Sequence, residues 1–202
     1  MTAMCLLVFV NNTTGKEKFM DYKIFLDMDG VLSDFVRACE MLFNRNLYHS
    51  AMWEKSTVYD RIGVPEDIFW RFIEMNSKEF WLNMPEYNIA KTLFYTCTDY
   101  VGKENVFICS TPCADPNSAG YKAAWINKRF GILPENYFLC KQKHLIARDN
   151  HILIDDQDSV IEKWDVAGGI PIMVPRPWNS LYDLWYNDLE YVRKKLRKIM
   201  YP

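Results

Sequence analysis

Two carboxylates stand two residues apart in Lys23-Ile24-Phe25-Leu26-Asp27-Met28-Asp29-Gly30-Val31-Leu32. Ile24, Phe25 and Leu26 read as a buried parallel strand, and Gly30 permits a tight turn beyond it. In an open α/β sheet, ligands bind beyond the carboxyl ends of the strands. One carboxylate placed there can attack phosphorus and form an aspartyl-phosphate. The second can protonate the leaving oxygen and later deprotonate the water that releases phosphate. Standing alone, the same pattern is also an acid-rich turn at a strand end, so the rest of the chain has to decide.

Two more apolar runs end in polar residues. Val106-Phe107-Ile108-Cys109 leads into Ser110-Thr111-Pro112, and Ile152-Leu153-Ile154 leads into Asp155-Asp156. Lysines stand at Lys122, Lys141 and Lys143. Carboxylates brought to one point repel each other and raise some of their pKa values. A divalent cation relieves that repulsion. Oxygen donors without a Cys or His suit Mg²⁺ rather than zinc, and Mg²⁺ keeps positions open for water and a phosphate. Hydroxyls and a lysine beside it would bind the remaining phosphate oxygens.

The elements that must position these residues alternate. Residues 86–100 read as a helix, 106–109 as a strand, and 119–130 as a helix closed by Gly131. Strands follow at 137–140 and 152–154, then a helix at 159–167 ended by Gly168-Gly169, then a strand at 170–174. The spacing of Leu181, Leu184, Trp185, Leu189, Val192 and Leu196 predicts a last helix from Ser180 to about Met200. This order predicts an α/β fold, a Rossmann-like doubly wound parallel sheet of about five strands. Residues between the first strand and Pro85 break the alternation. Phe35, Cys39, Leu42 and Phe43 predict a helix from Asp34 to about Tyr48. Pro65 opens another, with Ile68, Phe69, Phe72 and Ile73 on one face. A short aromatic segment, Phe80-Trp81, leads to Pro85. The expected organisation is a core of residues 20–34 and 85–202, a small helical cap of 35–84 inserted after the first strand, and an N-terminal extension of 1–19.

The 202 residues suffice for one core and a modest insertion. With 24 basic and 26 acidic residues the net charge is −2, which argues against a surface built to grip nucleic-acid phosphates. Six cysteines without a Cys-x-x-Cys pair read as buried, reduced thiols of a cytoplasmic protein. Cys109 and Cys113 lack the partners of a zinc site. Residues 3–10 are apolar but too few to span a bilayer, and no basic segment precedes them as in a signal peptide. Arg193, Lys194, Lys195, Arg197 and Lys198 read as a solvated helix end. His49, His144 and His151 match no motif.

Five stretches in order resemble the haloacid-dehalogenase-like phosphohydrolases, and more closely the 5'(3')-deoxyribonucleotidase family. They are 27–35 (Asp-Met-Asp-Gly-Val-Leu-Ser-Asp-Phe), 80–85 (Phe-Trp-Leu-Asn-Met-Pro), 107–112 (Phe-Ile-Cys-Ser-Thr-Pro), 121–131 and 152–156 (Ile-Leu-Ile-Asp-Asp). The resemblance spans about residues 22–175. It implies that Asp27 is the nucleophile and Asp29 the general acid/base. It implies Mg²⁺ held by Asp27, the Asp29 carbonyl and Asp156, with Asp155 assisting from behind. Ser110 and Thr111 would hold the phosphate, with Lys122 beside them. The third-motif lysine is Lys143 or its rival Lys141, both of which stand slightly far from Asp155. Phe35, Phe80 and Trp81 match positions near the family's aromatic base pocket, and all three also read as cap core.

The expected function is a Mg²⁺-dependent phosphomonoesterase, a hydrolase of (deoxy)nucleoside monophosphates of the 5'-nucleotidase type. Its partner is a small-molecule phosphate ester, with no nucleic acid and no membrane, and a homodimer stays open. The alternatives are the same chemistry on another ester such as a sugar phosphate, end-processing of nucleic acid, or a binding protein that has lost the reaction. The intact Asp27 and Asp29 pair separates the enzyme from the last of these.

Overall fold

The first core strand, β1 (Lys23–Leu26), is apolar on both faces, and the structure places it in the middle of the sheet. This computed structural model describes residues 21–48, 53, 57–113, 115–132 and 134–202. The expected extension of residues 1–19 and His49 lie outside the described residues. The sheet comprises β1, β2 (Val106–Ser110), β3 (Tyr137–Leu139), β4 (His151–Asp155) and β5 (Ile170–Met173). All pairs are parallel and the order is β3-β2-β1-β4-β5. The order reverses at β1, so the carboxyl ends of β1, β2 and β4 form one crevice.

Alternation along the strands makes two cores. Ile24, Leu26, Ile108, Ile152, Ile154 and Ile172 point into the larger one. Helices α5 (Ala90–Val101), α6 (Ser118–Phe130) and α8 (Asp188–Met200) contribute to it through Leu93, Phe94, Trp125, Val192 and Leu196. Phe25, Cys109 and Leu153 point the other way and pack on Trp164 of α7 (Asp158–Val166). A β-carbon on Gly169 would come within 2.2 Å of that indole, so the turn into β5 needs glycine.

Among the described residues four helices stand between β1 and α5: α1 (Phe35–Phe43), α2 (Val58–Ile62), α3 (Glu66–Met75) and α4 (Ser77–Leu82). The chain leaves and re-enters the core side by side. Ser33 and Glu86 form an antiparallel bridge, Asp34 N–H donates to Pro85 O, and Tyr87 N–H donates to Leu32 O. The expected helix of 34–48 stops earlier, at Phe43. Asn44 turns left-handed there (φ 51°), and the buried Glu40 carboxylate accepts from the N–H groups of Leu47 and Tyr48. Helix α2 is announced by Thr57 and Asp60, which form a capping box. Phe80-Trp81 lies in a full helix, α4, rather than in a short segment. The last helix also needs correction. Residues Tyr182–Asn187 are 3₁₀, and the α-helix begins only at Asp188, whose carboxylate is engaged by Arg176.

Among the described residues no helix is long and apolar enough to cross a membrane. Cys39, Cys97, Cys109, Cys113 and Cys140 are free thiols.

Candidate active site

Asp27 follows β1 directly and its N–H donates to Ile154 O at 2.9 Å, so the ladder to β4 fixes its backbone. The next residues fold into a tight loop. Leu32 and Ser33 N–H both reach Met28 O at 2.8 Å, and Gly30 takes φ 86°. A side chain is excluded at Gly30 for a second reason, because its β-carbon would meet Asp156 Oδ2 at 2.4 Å. The loop turns Asp29 back, where Oδ1 accepts from Ser33 Oγ at 2.9 Å.

Three carboxylates from two strand ends converge. Asp27, Asp155 and Asp156 are buried and each offers an oxygen within 4.8 Å of the others. Lys143, at the start of a 3₁₀ turn (Lys143–Ile146), reaches them with its ammonium. It donates to Asp27 Oδ1 at 2.5 Å and to Asp155 Oδ2 at 2.7 Å. Asp155 Oδ1 accepts from Gln157 N–H at 3.0 Å. Asp156 Oδ2 accepts from Trp178 Nε1 at 2.6 Å, whereas Oδ1 is buried without a protein partner.

One ammonium does not balance three carboxylates in a site this dry. Burial pushes the Asp27 carboxyl up to about 7, against the pull of Lys143 and with the help of Asp155 and Asp29. Burial, with Asp155 and Asp27 beside it, drives Asp156 well above the carboxylate range. Burial also works to lower Lys143, but Asp27 and Asp155 outweigh it and hold the ammonium above the ordinary lysine range. A cluster of oxygen donors, short of positive charge and with an orphaned buried oxygen, fits a hard divalent cation.

Lys122 makes a second cluster. Its ammonium bonds the Asp29 carboxylate, donates to Thr111 O at 2.7 Å and lies 3.5 Å from Ser110 Oγ. It also sits over the Trp81 ring, 4.9 Å from the centroid. Trp81 is fixed in turn, because its Nε1 donates to the buried Asp115 at 3.1 Å and Ser77 Oγ bonds the same oxygen.

A cleft of about 730 Å³ opens in front of both clusters. Of the residues singled out by sequence, Asp29, Phe35, Trp81, Thr111, Lys122 and Asp156 line it. Asp27, Ser110, Lys143 and Asp155 are buried; Lys143 joins Asp27 to Asp155, and Lys122 joins Ser110 to Asp29. The sequence left Lys143 and Lys141 open as the third-motif lysine. The structure puts Lys143 on the carboxylates and Lys141 at the cleft wall. Phe35 stacks near Trp81, with centroids 6.1 Å apart, and meets Phe80 edge-on at 5.6 Å. Phe80 is buried and faces a separate, smaller hollow beside Met41 and Pro85.

Sequence reasoning missed Arg176, Trp178 and Asn179. Arg176 is 2% exposed, donates from Nε to Gly30 O at 2.6 Å, and lies 4.1 Å from the Tyr87 ring. Asn179 Nδ2 donates to Asp156 O and Val174 O, both at 2.8 Å. The signal was present: Pro175-Arg176-Pro177-Trp178-Asn179 lies at the carboxyl end of β5, which is also an edge of the crevice.

A family model described as 5' nucleotidase, deoxy (pyrimidine), cytosolic type C protein matches residues 21–186. No curated protein matches the sequence. Among solved structures, a HAD family hydrolase from Deinococcus radiodurans R1, with bound phosphate and sodium, is 12% identical. It superposes with a TM-score of 0.51 over 90% of this chain and 96% of its own. A HAD-superfamily hydrolase of subfamily IA from Geobacter sulfurreducens PCA is 11% identical, with a TM-score of 0.43 over 84% of this chain and 97% of its own. The L-2-haloacid dehalogenase from Xanthobacter autotrophicus is 9% identical, with a TM-score of 0.46 over 86% and 87% respectively. The first of these likenesses is one of fold.

Proposed function

The chain belongs to the 5' nucleotidase, deoxy (pyrimidine), cytosolic type C family, a HAD-type phosphoric monoester hydrolase, and from that premise we propose a Mg²⁺-dependent hydrolase of (deoxy)nucleoside monophosphates. The observation that carries this reading is the cluster of Asp27, Asp155, Asp156 and Lys143 behind a cleft walled by Phe35, Trp70, Trp81 and Trp178. Acids and a lysine suit a phosphoryl group. Flat rings suit a base, which stacks on them. The cytosolic family name and the free cysteines support a cytoplasmic location.

Asp27 attacks phosphorus with the oxygen that Lys143 does not hold. The new bond is Asp27 O–P, and the bond that breaks is P–O to the nucleoside. Asp29 gives its proton to the leaving oxygen. It then takes a proton from water, which attacks phosphorus and breaks the aspartyl-phosphate. Before substrate arrives, Lys122 bonds the Asp29 carboxylate directly. An incoming phosphate accepts from that ammonium and from the hydroxyls of Ser110 and Thr111. As Lys122 turns to the phosphate, Asp29 is freed to face the leaving oxygen. A Mg²⁺ ion held by Asp27, the Asp29 carbonyl and Asp156, with Asp155 assisting through Lys143, would keep Asp27 ionised and neutralise the transferred phosphoryl group.

Residues 35–84 act as a cap over the core of 20–34 and 85–202, closing on the base and excluding water. The test is hydrolysis of nucleoside 5'- and 3'-monophosphates and of sugar phosphates, with and without Mg²⁺, beside an Asp27→Asn control. Turnover of nucleotides that needs both Mg²⁺ and Asp27 is expected. Turnover of sugar phosphates alone would overturn the substrate class.

A further inference from the structure

The segment that follows β5 reaches the acid cluster by a route the catalytic steps do not use. Val174 N–H donates to Asp155 O at 2.8 Å, which continues the ladder to the crevice. Arg176 then ties the segment to Gly30 O, and Asn179 ties it to the backbone of Asp156. Trp178 stands between these anchors, and its Nε1 is 2.6 Å from Asp156 Oδ2.

Asp156 is constrained from two sources. The α-carbon of Gly30 crowds its carboxylate, since a β-carbon there would touch both oxygens within 2.8 Å. The indole N–H bonds one oxygen and leaves Oδ1 buried without a partner. Swinging the carboxylate away from the indole would give up that bond. The same indole lines the cleft. Its ring lies 5.1 Å from that of Trp53, whose backbone N–H donates to Pro177 O at 3.0 Å.

We propose that Trp178 is a positioning residue for the divalent cation: its N–H holds Asp156 Oδ2 so that Oδ1 is presented to the metal. The proposal rests on the reading of Asp27 and Asp156 as the cation site. A hydrogen bond to the far oxygen of a ligating carboxylate fixes the ligand's orientation before the cation arrives, so less of the binding energy goes into ordering it. An N–H aimed at a carboxylate also favours its ionised, metal-binding form.

The experiment is titration with MgCl₂ alone, followed by calorimetry and by the rise in melting temperature, on the full chain without substrate. Wild type, Asp156→Ala, Trp178→Phe and Trp178→His are compared. Wild type should bind, and Asp156→Ala should not. Trp178→Phe keeps a ring but lacks the N–H, and its Kd should rise about 10- to 100-fold. Trp178→His returns a ring N–H and should recover much of the affinity. In steady-state assays the phenylalanine variant should need more Mg²⁺ for half-maximal rate. Trp178→Leu, which also lacks a donor, carries the same expectation as Trp178→Phe and covers the case in which the latter does not fold. A wild-type Kd in Trp178→Phe, with binding lost in Asp156→Ala, overturns the positioning role alone. A histidine variant as weak as the phenylalanine one overturns the N–H as the cause. Absence of Mg²⁺ binding by wild type overturns the cation site and the proposal together.

Discussion

The ammonium of Lys143 lies 2.5 Å from Asp27 Oδ1, although the two residues are 116 positions apart in sequence. Both groups are buried, and the same ammonium reaches Asp155. Lys143→Ala should therefore lower kcat by about 10²-fold or more, the scale of a lost charge-stabilising donor in a dry site. Lys141→Ala, at the cleft wall, should alter KM by a small factor and leave kcat near wild type. Parallel steady-state kinetics on the two variants decide between the lysines.

The metal-free protein should be least stable where its acids are ionised. Folding raises Asp27 from 3.8 to about 7, so the native state binds more protons than the unfolded chain between those values. The stability from this group is complete below pH 3.8 and is lost as pH rises through about 7. Asp156 shifts in the same direction. In EDTA the melting temperature should fall from pH 5 to pH 8, and Mg²⁺ should restore more at pH 8 than at pH 5. A melting temperature that climbs over this range in EDTA would contradict the assignment.

Asp115 carries no chemistry but fixes Trp81 and, through it, the face under Lys122. Asp115→Ala leaves Ser77 Oγ and Trp81 Nε1 without their acceptor. Chemical denaturation should show a loss of about 1–3 kcal/mol, the cost of stranding buried donors. KM should rise more than kcat falls, because Trp81 lines the cleft.

Gly30→Ala should abolish turnover while the chain still folds. The new β-carbon would collide with the Asp156 carboxylate, and φ 86° disfavours any side chain. Circular dichroism close to wild type with Mg²⁺ binding lost is the expected pair of results.

The sheet was legible in sequence because its strands are apolar runs, and β1, β2 and β4 run out into polar or acidic residues. Asp27, Ser110 and Asp155 each sit where a buried strand meets the crevice, and that rule needs no tertiary knowledge. Lys143 could not be separated from Lys141 by counting residues, since the 3₁₀ turn at 143–146 decides which ammonium points inward. For Trp178 and Arg176 only the place beyond a strand end was legible. Their partners, Asp156 and Gly30, stand 22 and 146 positions away, and the return of the chain after β5 brings them together. The 3₁₀ start of the last segment was hidden because Leu181, Leu184 and Trp185 satisfy an α-helical spacing equally well.

The bridge between Ser33 and Glu86 means that the helical stretch begins and ends at one spot. A loop whose ends are already joined taxes the remaining chain only weakly as it lengthens, by roughly 0.6 kcal/mol per doubling. The sheet is thus nearly indifferent to how much chain hangs from that point. That stretch can be traded, lengthened or re-surfaced, and the acids at the strand ends need not move.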